Sequence, residues 1–491
     1  MKFLSLNVRM SNGVARWGPF LALAVGGEFF YGLLAWAFPL PRLYARVPPV
    51  DFAKLTHYHL AAALGLLLAY VLLFGGLAWL MWSDRSPLDA AAIPWIWAGG
   101  GIFAVTLVFL YPIFAIDMLM YGVRTRLWLL YGANPFIVIP SHFPHDPWIG
   151  LMGEWKEISS GYSPLWEVLA LIPGWLTEPA HFGWHVFGLK LISLAAYAAS
   201  LFLVDRLLRA VWPEERAWRL LFFAWNPLVL LEWVGNGHND SVMVAFLLLS
   251  VWLLVRGRDV MAHTALALAT LVKVTPLFLW PLLWLWGVKQ RSRWVDRLRY
   301  TVWVGGIFLG TAAVFALFLW PDPTRWQALH ESDFAGRSPQ ALAILLGMAL
   351  EIPHAFSRAQ MVFRAVFLLG YAGVFVWALR AFPNARESRP ITLVHAWLAV
   401  LVLLVALFAS NWRPWYVSWL VALATLAAHP AWYKGVHTWA FTALTGDVFW
   451  TNIRWRFRAY FPPLVAHLIG VTWVFGVPLY VGWREKGARK A

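Results

Sequence analysis

The chain of 491 residues is 61% hydrophobic and only 13% charged, an apolar excess beyond that of an ordinary soluble domain, so it needs lipid around it. It holds no cysteine, which excludes a disulfide framework and thiolate metal ligands and leaves the redox compartment undefined. The net charge of +15 is scattered among short loops between apolar runs, where membrane insertion already accounts for it, so no nucleic-acid partner is expected.

The chain opens with MKFLSLNVRMSNGVARWGPF, where Lys2, Arg9 and Arg16 precede the first apolar run and no small-residue cleavage site follows early. It reads as an uncleaved first span. From His59 to Trp82 no Asp, Glu, Lys or Arg interrupts the sequence, and at helical rise this stretch crosses the roughly 30 Å hydrocarbon layer. Later runs are also continuous apolar blocks without the alternation of a barrel strand, which predicts an all-α fold. Spans are expected at 17–40, 57–82, 90–115, 183–204, 218–235, 241–255, 300–320, 361–380, 391–410, 415–429, 435–448 and 463–483, about a dozen in all. The densest basic cluster, Lys289, Arg291, Arg293, Arg297 and Arg299 in KQRSRWVDRLR, should be cytoplasmic. The stretches 206–219 and 380–389, the tail 484–491 and the N-terminus share that side, and the remaining loops face outward. No internal repeat stands out, so residues 1–491 form one membrane domain, with N-terminal spans in 1–90.

Two segments do not fit as simple spans. Residues 117–182 carry six acids against three basic residues and are rich in Pro, which predicts a large outward-facing loop with helices along the membrane surface, SPLWEVLALIPGWL from Ser163 being one. Residues 261–286 have basic residues on both sides, as if both ends were cytoplasmic. A pair of half-helices meeting near Lys273, Thr275 and Pro276 satisfies this, because Pro removes a backbone donor and irregular backbone at depth usually lines a cavity. Arg454, Arg456 and Arg458 in NIRWRFRAYF fall on the outer side against the orientation rule. Either that pairing of spans is wrong or these arginines meet an anion there.

Polar residues that stand against the apolar background come in chain order. Asp117 lies at the outer water boundary beside aromatics and Arg124, where an acid can remove a proton; the plain alternative is a helix cap paired with an arginine one or two turns on. Asn236, His238, Asn239 and Asp240 share a short outer turn in NPLVLLEWVGNGHNDSVMVAFLLL. Gly and Asn suit any turn and Asp240 suits a cap, yet His, Asn and Asp together exceed punctuation. One His and one Asp are too few ligands for a metal, and neither a metal nor another cofactor is expected. Lys273 sits in an apolar run, where a charge finds a partner or a wet cavity, and an anionic substrate group is a natural partner; snorkelling is the alternative. Glu28 and Glu232 are intramembrane acids that suit helix-to-helix hydrogen bonds. In SNWRPWYVSW, Trp415 and Tyr416 belong to an aromatic belt, which leaves Arg413 to be explained.

These segments together resemble the polytopic glycosyltransferases that use polyprenyl-phosphate sugars, of GT-C type, and particularly the bacterial polyprenol-phosphomannose-dependent α-mannosyltransferases. IDMLMYGVRTRLWLLYGANPF is similar to that family's first large external loop, with an acid followed by Tyr121 and then by G-x-NP containing Asn134. YSPLW, holding Tyr162 and Trp166, resembles the Y-[GS]-PLW that follows. The G-H-N-D turn continuing to the lysine of ALATLVKVTPLFLWP is the closest match, and NWRPWYVSW resembles the tryptophan-rich element near the family's C-terminus. The resemblance runs from about residue 100 to 425, leaving the first two spans outside it.

The resemblance implies that Asp117 is the general base for an acceptor hydroxyl. It implies an inverting transfer of a sugar, mannose first, from a polyprenyl-phosphate donor to a glycan or glycolipid acceptor, on the outer face of a bacterial cytoplasmic membrane. Lys273, Arg413, Arg454, Arg456 and Arg458 would then surround the donor phosphate. Tyr121, Arg124, Asn134, Tyr162, Trp166, Asn236, His238, Asn239, Asp240, Trp415 and Tyr416 would contact substrate. The alternative is a transporter or flippase of lipid-linked sugars, which also wants a broken helix and intramembrane charges. Against it, no pseudo-symmetric halves are visible and the polar residues collect on one side.

Overall fold

The computed structural model describes residues 2–83, 88–177, 181–319, 337–382, 390–409 and 411–487. The ends of the expected spans 300–320 and 391–410, most of the expected basic stretch 380–389 and residues 488–491 of the tail lie outside them. The described chain is helical: α1 (Lys2–Ala37), α2 (Leu60–Trp82), α3 (Ile93–Val108), α4 (Asp117–Tyr131), α5 (Pro164–Thr177), α6 (Phe182–Val211), α7 (Arg216–Ala224), α8 (Asp240–Val255), α9 (Asp259–Val272), α10 (Trp280–Lys289), α11 (Trp294–Leu319), α12 (Pro339–Ala349), α13 (Ala355–Ala381), α14 (Ile391–Leu403), α15 (Val417–Ala424), α16 (Pro430–Val448) and α17 (Pro463–Gly487). The only bridge outside helices, among the described residues, pairs Pro39 with Leu110.

Eight of the described helices are long and apolar enough to cross a membrane, and each coincides with an expected span. The expected spans 218–235, 241–255, 415–429 and 435–448 are the ones that do not reach that length and composition. The first of these is broken by chemistry the apolar pattern hides. α7 stops at Ala224 because Asn226 precedes Pro227, whose ring disfavours helix at the residue before it. Asn226 then caps the next turn, its Oδ1 accepting from Leu228 N at 3.1 Å and Val229 N at 3.4 Å. A wide π-helical turn, Leu230–Gly235, follows; such turns inside helices are commonest at functional sites. The helix of 415–429 is likewise short, confined to α15 and preceded by a tight turn Pro414–Tyr416.

The break predicted near Lys273 is present. α9 ends at Val272, Lys273 is extended, a 3-10 turn runs Thr275–Leu279, and α10 follows. The helix predicted from Ser163 is also present as α5. The loop 117–182 is less superficial than expected, since the residues of α4 from Met118 to Leu127 are buried.

The interior is largely apolar, as in a soluble protein, but so is much of the surface. α11 and α13 expose Leu309, Leu317 and Leu369, while the interior holds His238, Asn239, Asp240 and Lys190. That is the arrangement lipid imposes, with polar groups turned to the protein interior and hydrocarbon outside. α8 packs against α6, α9 and α15; α4 packs against α5 and α6; α16 joins α2, α15 and α17. Glu28 Oε1 accepts from Thr106 Oγ1 at 2.7 Å, a helix-to-helix bond between α1 and α3.

Candidate active site

Asp117 is the first residue of α4, after an irregular, non-helical stretch from Leu110 to Ile116. A carboxylate suits that position because the helix N-terminus is its positive end. It does not cap the helix: the cap position is Ile116, with no side-chain cap. Nor does it pair with Arg124, whose Nη2 donates to Ile158 O at 3.5 Å and Ser159 O at 3.4 Å. The plain alternative for Asp117 therefore fails. Its Oδ1 instead accepts a 2.6 Å hydrogen bond from Tyr162 Oη, which returns from the far side of the 117–182 segment. Tyr121, one turn along α4, meets the Tyr162 ring edge-on at 4.8 Å and Trp166 at 4.7 Å. Burial, and then Asp117, push the Tyr162 phenol far above its ordinary range, so it remains a neutral donor to the carboxylate.

The G-N-G-H-N-D turn closes over the start of α4. Gly237 has φ +74°, and a Cβ there would lie 1.6 Å from Met118 Cε; only glycine accepts both the conformation and the approach. Asn236 ties the turn to the stretch before Asp117, its Oδ1 accepting from Phe114 N at 3.2 Å and its Nδ2 donating to Glu232 Oε2 at 2.7 Å. His238 is fully buried, stacks on Trp415 at 4.0 Å, and places Nε2 3.3 Å from Glu232 Oε2. Burial works against a charged His238, yet Glu232 with Asp117 and Asp240 outweigh it and raise the group above the usual histidine range. Asn239 is buried with neither amide atom hydrogen-bonded among the described residues, which is costly without a ligand or water.

Asp240 is a hub rather than a cap. Its Oδ1 accepts from Lys273 Nζ at 2.8 Å and from Trp419 Nε1 at 2.5 Å, joining α8, the break after α9 and α15. Lys273 Nζ also lies 5.1 Å from the Tyr416 ring centre and 5.2 Å from that of Trp419, within cation–π reach.

A second group lies on the arginine side. Arg337 forms an ion pair with Asp447 and is in electrostatic contact with Arg413 and Arg454. Arg413 sits 5.9 Å from the Trp415 ring, and Arg454 5.0 Å from Trp450. Arg413 and Arg454 thus both act on the charge of Arg337, whose paired carboxylate is Asp447, a cationic grouping suited to an anion. Glu232 is in the field of Asp447, which joins this group to the His238 turn. Arg456 and Arg458 are exposed, and Asn134 is engaged elsewhere, accepting from Phe136 N at 3.0 Å and donating to Phe318 O at 3.3 Å.

The structure therefore brings Asp117, Tyr121, Tyr162 and Trp166 together, and joins Asn236, His238, Asn239 and Asp240 to Lys273, Trp415 and Tyr416. Sequence reasoning missed Lys190, Arg337 and Asp447. Lys190 is buried in α6 and donates to Leu110 O at 2.7 Å, Val234 O at 3.0 Å and Gly235 O, pinning the approach to Asp117 onto the π-helical turn. A lone lysine in the apolar run FGLKLISLAAY was the available signal.

A helical membrane body that buries a carboxylate, a polar turn and a group of cations beside a loop of short helices is the kind of architecture a polytopic glycosyltransferase uses. Residues 22–288, more than half of the chain, match the family described as "Alpha-(1->6)-mannopyranosyltransferase, N-terminal domain", and the chain belongs to that family. The match begins within the first span, so the N-terminal pair that the resemblance left outside is part of it. The chain is 24% identical over 409 residues to alpha-(1->6)-mannopyranosyltransferase A of Mycobacterium tuberculosis, covering 78% of this chain and 77% of that protein. It is 22% identical over 359 residues to the protein of the same name from Corynebacterium glutamicum, covering 67% and 70%. Among solved structures it is similar to the Archaeoglobus fulgidus oligosaccharyltransferase, with 13% identity and a TM-score of 0.37 over 79% of this chain; it spans about half, 52%, of that longer chain. The family membership decides for a glycosyltransferase over a transporter.

Proposed function

We propose that this protein transfers mannose, with inversion, from a polyprenyl-phosphate donor to a hydroxyl of a glycan or glycolipid acceptor at the outer face of the bacterial cytoplasmic membrane. The observation that carries the proposal is the carboxylate of Asp117, held by Tyr162 at 2.6 Å at the start of α4, beside a turn that leads to cationic groups. Asp117 takes the acceptor's hydroxyl proton as the acceptor oxygen bonds to the anomeric carbon and the bond from that carbon to the phosphate oxygen breaks. The donor is a phosphodiester with one negative charge; the leaving polyprenyl phosphate carries two. Stabilising that second charge requires cations rather than a proton donor, which Arg337, Arg413 and Arg454 supply, with Lys273 in support.

Tyr162 holds the carboxylate in orientation without protonating it, while His238, Asn239 and Asn236 orient substrate hydroxyls. The unpaired amide of Asn239 is the most direct candidate for a sugar hydroxyl, since a buried amide gains most from a ligand that satisfies it. Tyr121, Arg124, Trp166, Trp415 and Tyr416 form the surrounding wall. The direct test is transfer of radiolabelled mannose from polyprenyl-phosphate-mannose to a panel of mannoside and glycolipid acceptors by the purified protein in nanodiscs. Labelled product supports the proposal; donor binding without product from any acceptor counts against it.

A further inference from the structure

α1 and α2 do not close on each other along their outward side. Between them runs an open groove of about 890 Å³, lined by apolar residues except for Thr56 at one end. From Pro19 to Phe38 its wall on α1 extends roughly 28 Å at helical rise, close to the roughly 30 Å depth of the hydrocarbon layer. Small residues keep it open: Gly26 and Gly65 line it from opposite helices, and a Cβ on either would meet nothing within 4 Å.

The outer end of this groove is tied to the transfer site. Phe38 and Phe52 form that end, and their backbones bond to the stretch leading into Asp117, Tyr111 N donating to Phe38 O at 2.9 Å and Phe52 N to Ile113 O at 2.7 Å. The Phe52 ring lies 6.2 Å from Phe114, three residues before Asp117. Asp51, next to Phe52, is in the field of Asp447. α2 itself packs on the turn Phe449–Ile453, between Asp447 and Arg454. The groove thus ends on the side of both the acid and the arginine group, which suits a single long hydrocarbon chain with a compact anionic head. A bilayer phospholipid, with two chains and a larger head, fits that combination poorly.

We infer that the groove between α1 and α2 holds the isoprenoid chain of the polyprenyl-phosphate donor, placing its phosphate at Arg337, Arg413 and Arg454. The inference rests on the donor proposed for the transfer site. Lipid tails are as apolar as the groove, so selection comes from shape and head group rather than from hydrophobicity, and the chain's contribution is modest.

The test is photo-crosslinking of the full chain in nanodiscs with a polyprenyl phosphate carrying a benzophenone along its chain. The label should fall in residues 17–37 and 60–82. Excess unlabelled polyprenyl phosphate should compete it and an equal excess of phospholipid should not, and it should drop at least about threefold in the Gly26→Leu/Gly65→Leu variant, given the modest selection expected. Labelling elsewhere, competition by both lipids alike, or full labelling of the variant would overturn the inference. The probe carries no sugar, so failure of the proposed transfer would appear in the mannose assay alone. As a second readout, the donor KM should fall with chain length in the wild type and lose that dependence in the variant; a wild-type KM indifferent to chain length would also overturn it.

Discussion

The ammonium of Lys273 lies 2.8 Å from Asp240 Oδ1, so the cation expected to meet a substrate phosphate already has a carboxylate partner in the protein. That partner is buried, while the lysine side chain keeps 18% of its surface exposed. Lys273 can therefore hold the broken helix to α8 while part of its side chain stays accessible.

Removing the lysine should leave Asp240 with Trp419 as its remaining donor among the described residues. Lys273→Ala should destabilise the protein by about 2–3 kcal/mol, toward the low end for an uncompensated buried charge because of that exposure. Lys273→Ala/Asp240→Asn should recover most of the loss in thermal unfolding but not the affinity for donor. Recovery of both would mean that Lys273 acts only through Asp240.

His238 provides a pH-dependent prediction. Its folded-state pKa is raised, so its charged form contributes stability that is complete below the unfolded value of about 6.5 and is lost as pH rises through the folded value. Thermal stability should decline on the alkaline side of pH 6.5, and His238→Gln should flatten that decline. An unchanged slope in the variant would show that another group titrates.

Gly237→Ala should be disruptive although it adds one methyl. The positive φ alone costs about 1–2 kcal/mol for a residue with a Cβ, and the methyl meets Met118. Adding Met118→Ala should relieve the steric part only, leaving a measurable deficit in unfolding temperature. Complete rescue by the second change would mean that the backbone conformation costs nothing.

For the arginine group, Arg337→Ala should weaken binding of polyprenyl phosphate about tenfold, the size expected for one charge-assisted hydrogen bond. Arg456→Ala, at an exposed position, should change it by less than about twofold. Equal effects measured by calorimetry would argue for a diffuse field rather than a defined cradle.

Much of the fold was legible because apolar length and proline act locally. The break at Lys273 followed from Pro276, and α5 from the pattern after Ser163. The interruption of 218–235 was equally local, in Asn226 and Pro227, but was masked by the apolar residues around it. The acid and the polar turn were visible as departures from the background. Their partners were not: Tyr162 is 45 positions from Asp117 and Arg337 is 110 from Asp447, separations that only packing brings together. Asn134 shows the converse, since its motif suggested substrate whereas its amide holds the loop to α11.

The most direct measurement is mannose transfer from polyprenyl-phosphate-mannose by Asp117→Asn, alongside donor binding by the same preparation. An amide cannot accept the proton, so turnover should fall by at least about a hundredfold while donor affinity stays close to that of the wild type. A folded variant that binds donor and transfers mannose at near-normal rate would contradict the assignment of Asp117 as the base, and with it the mechanism built around Tyr162 and the arginine group.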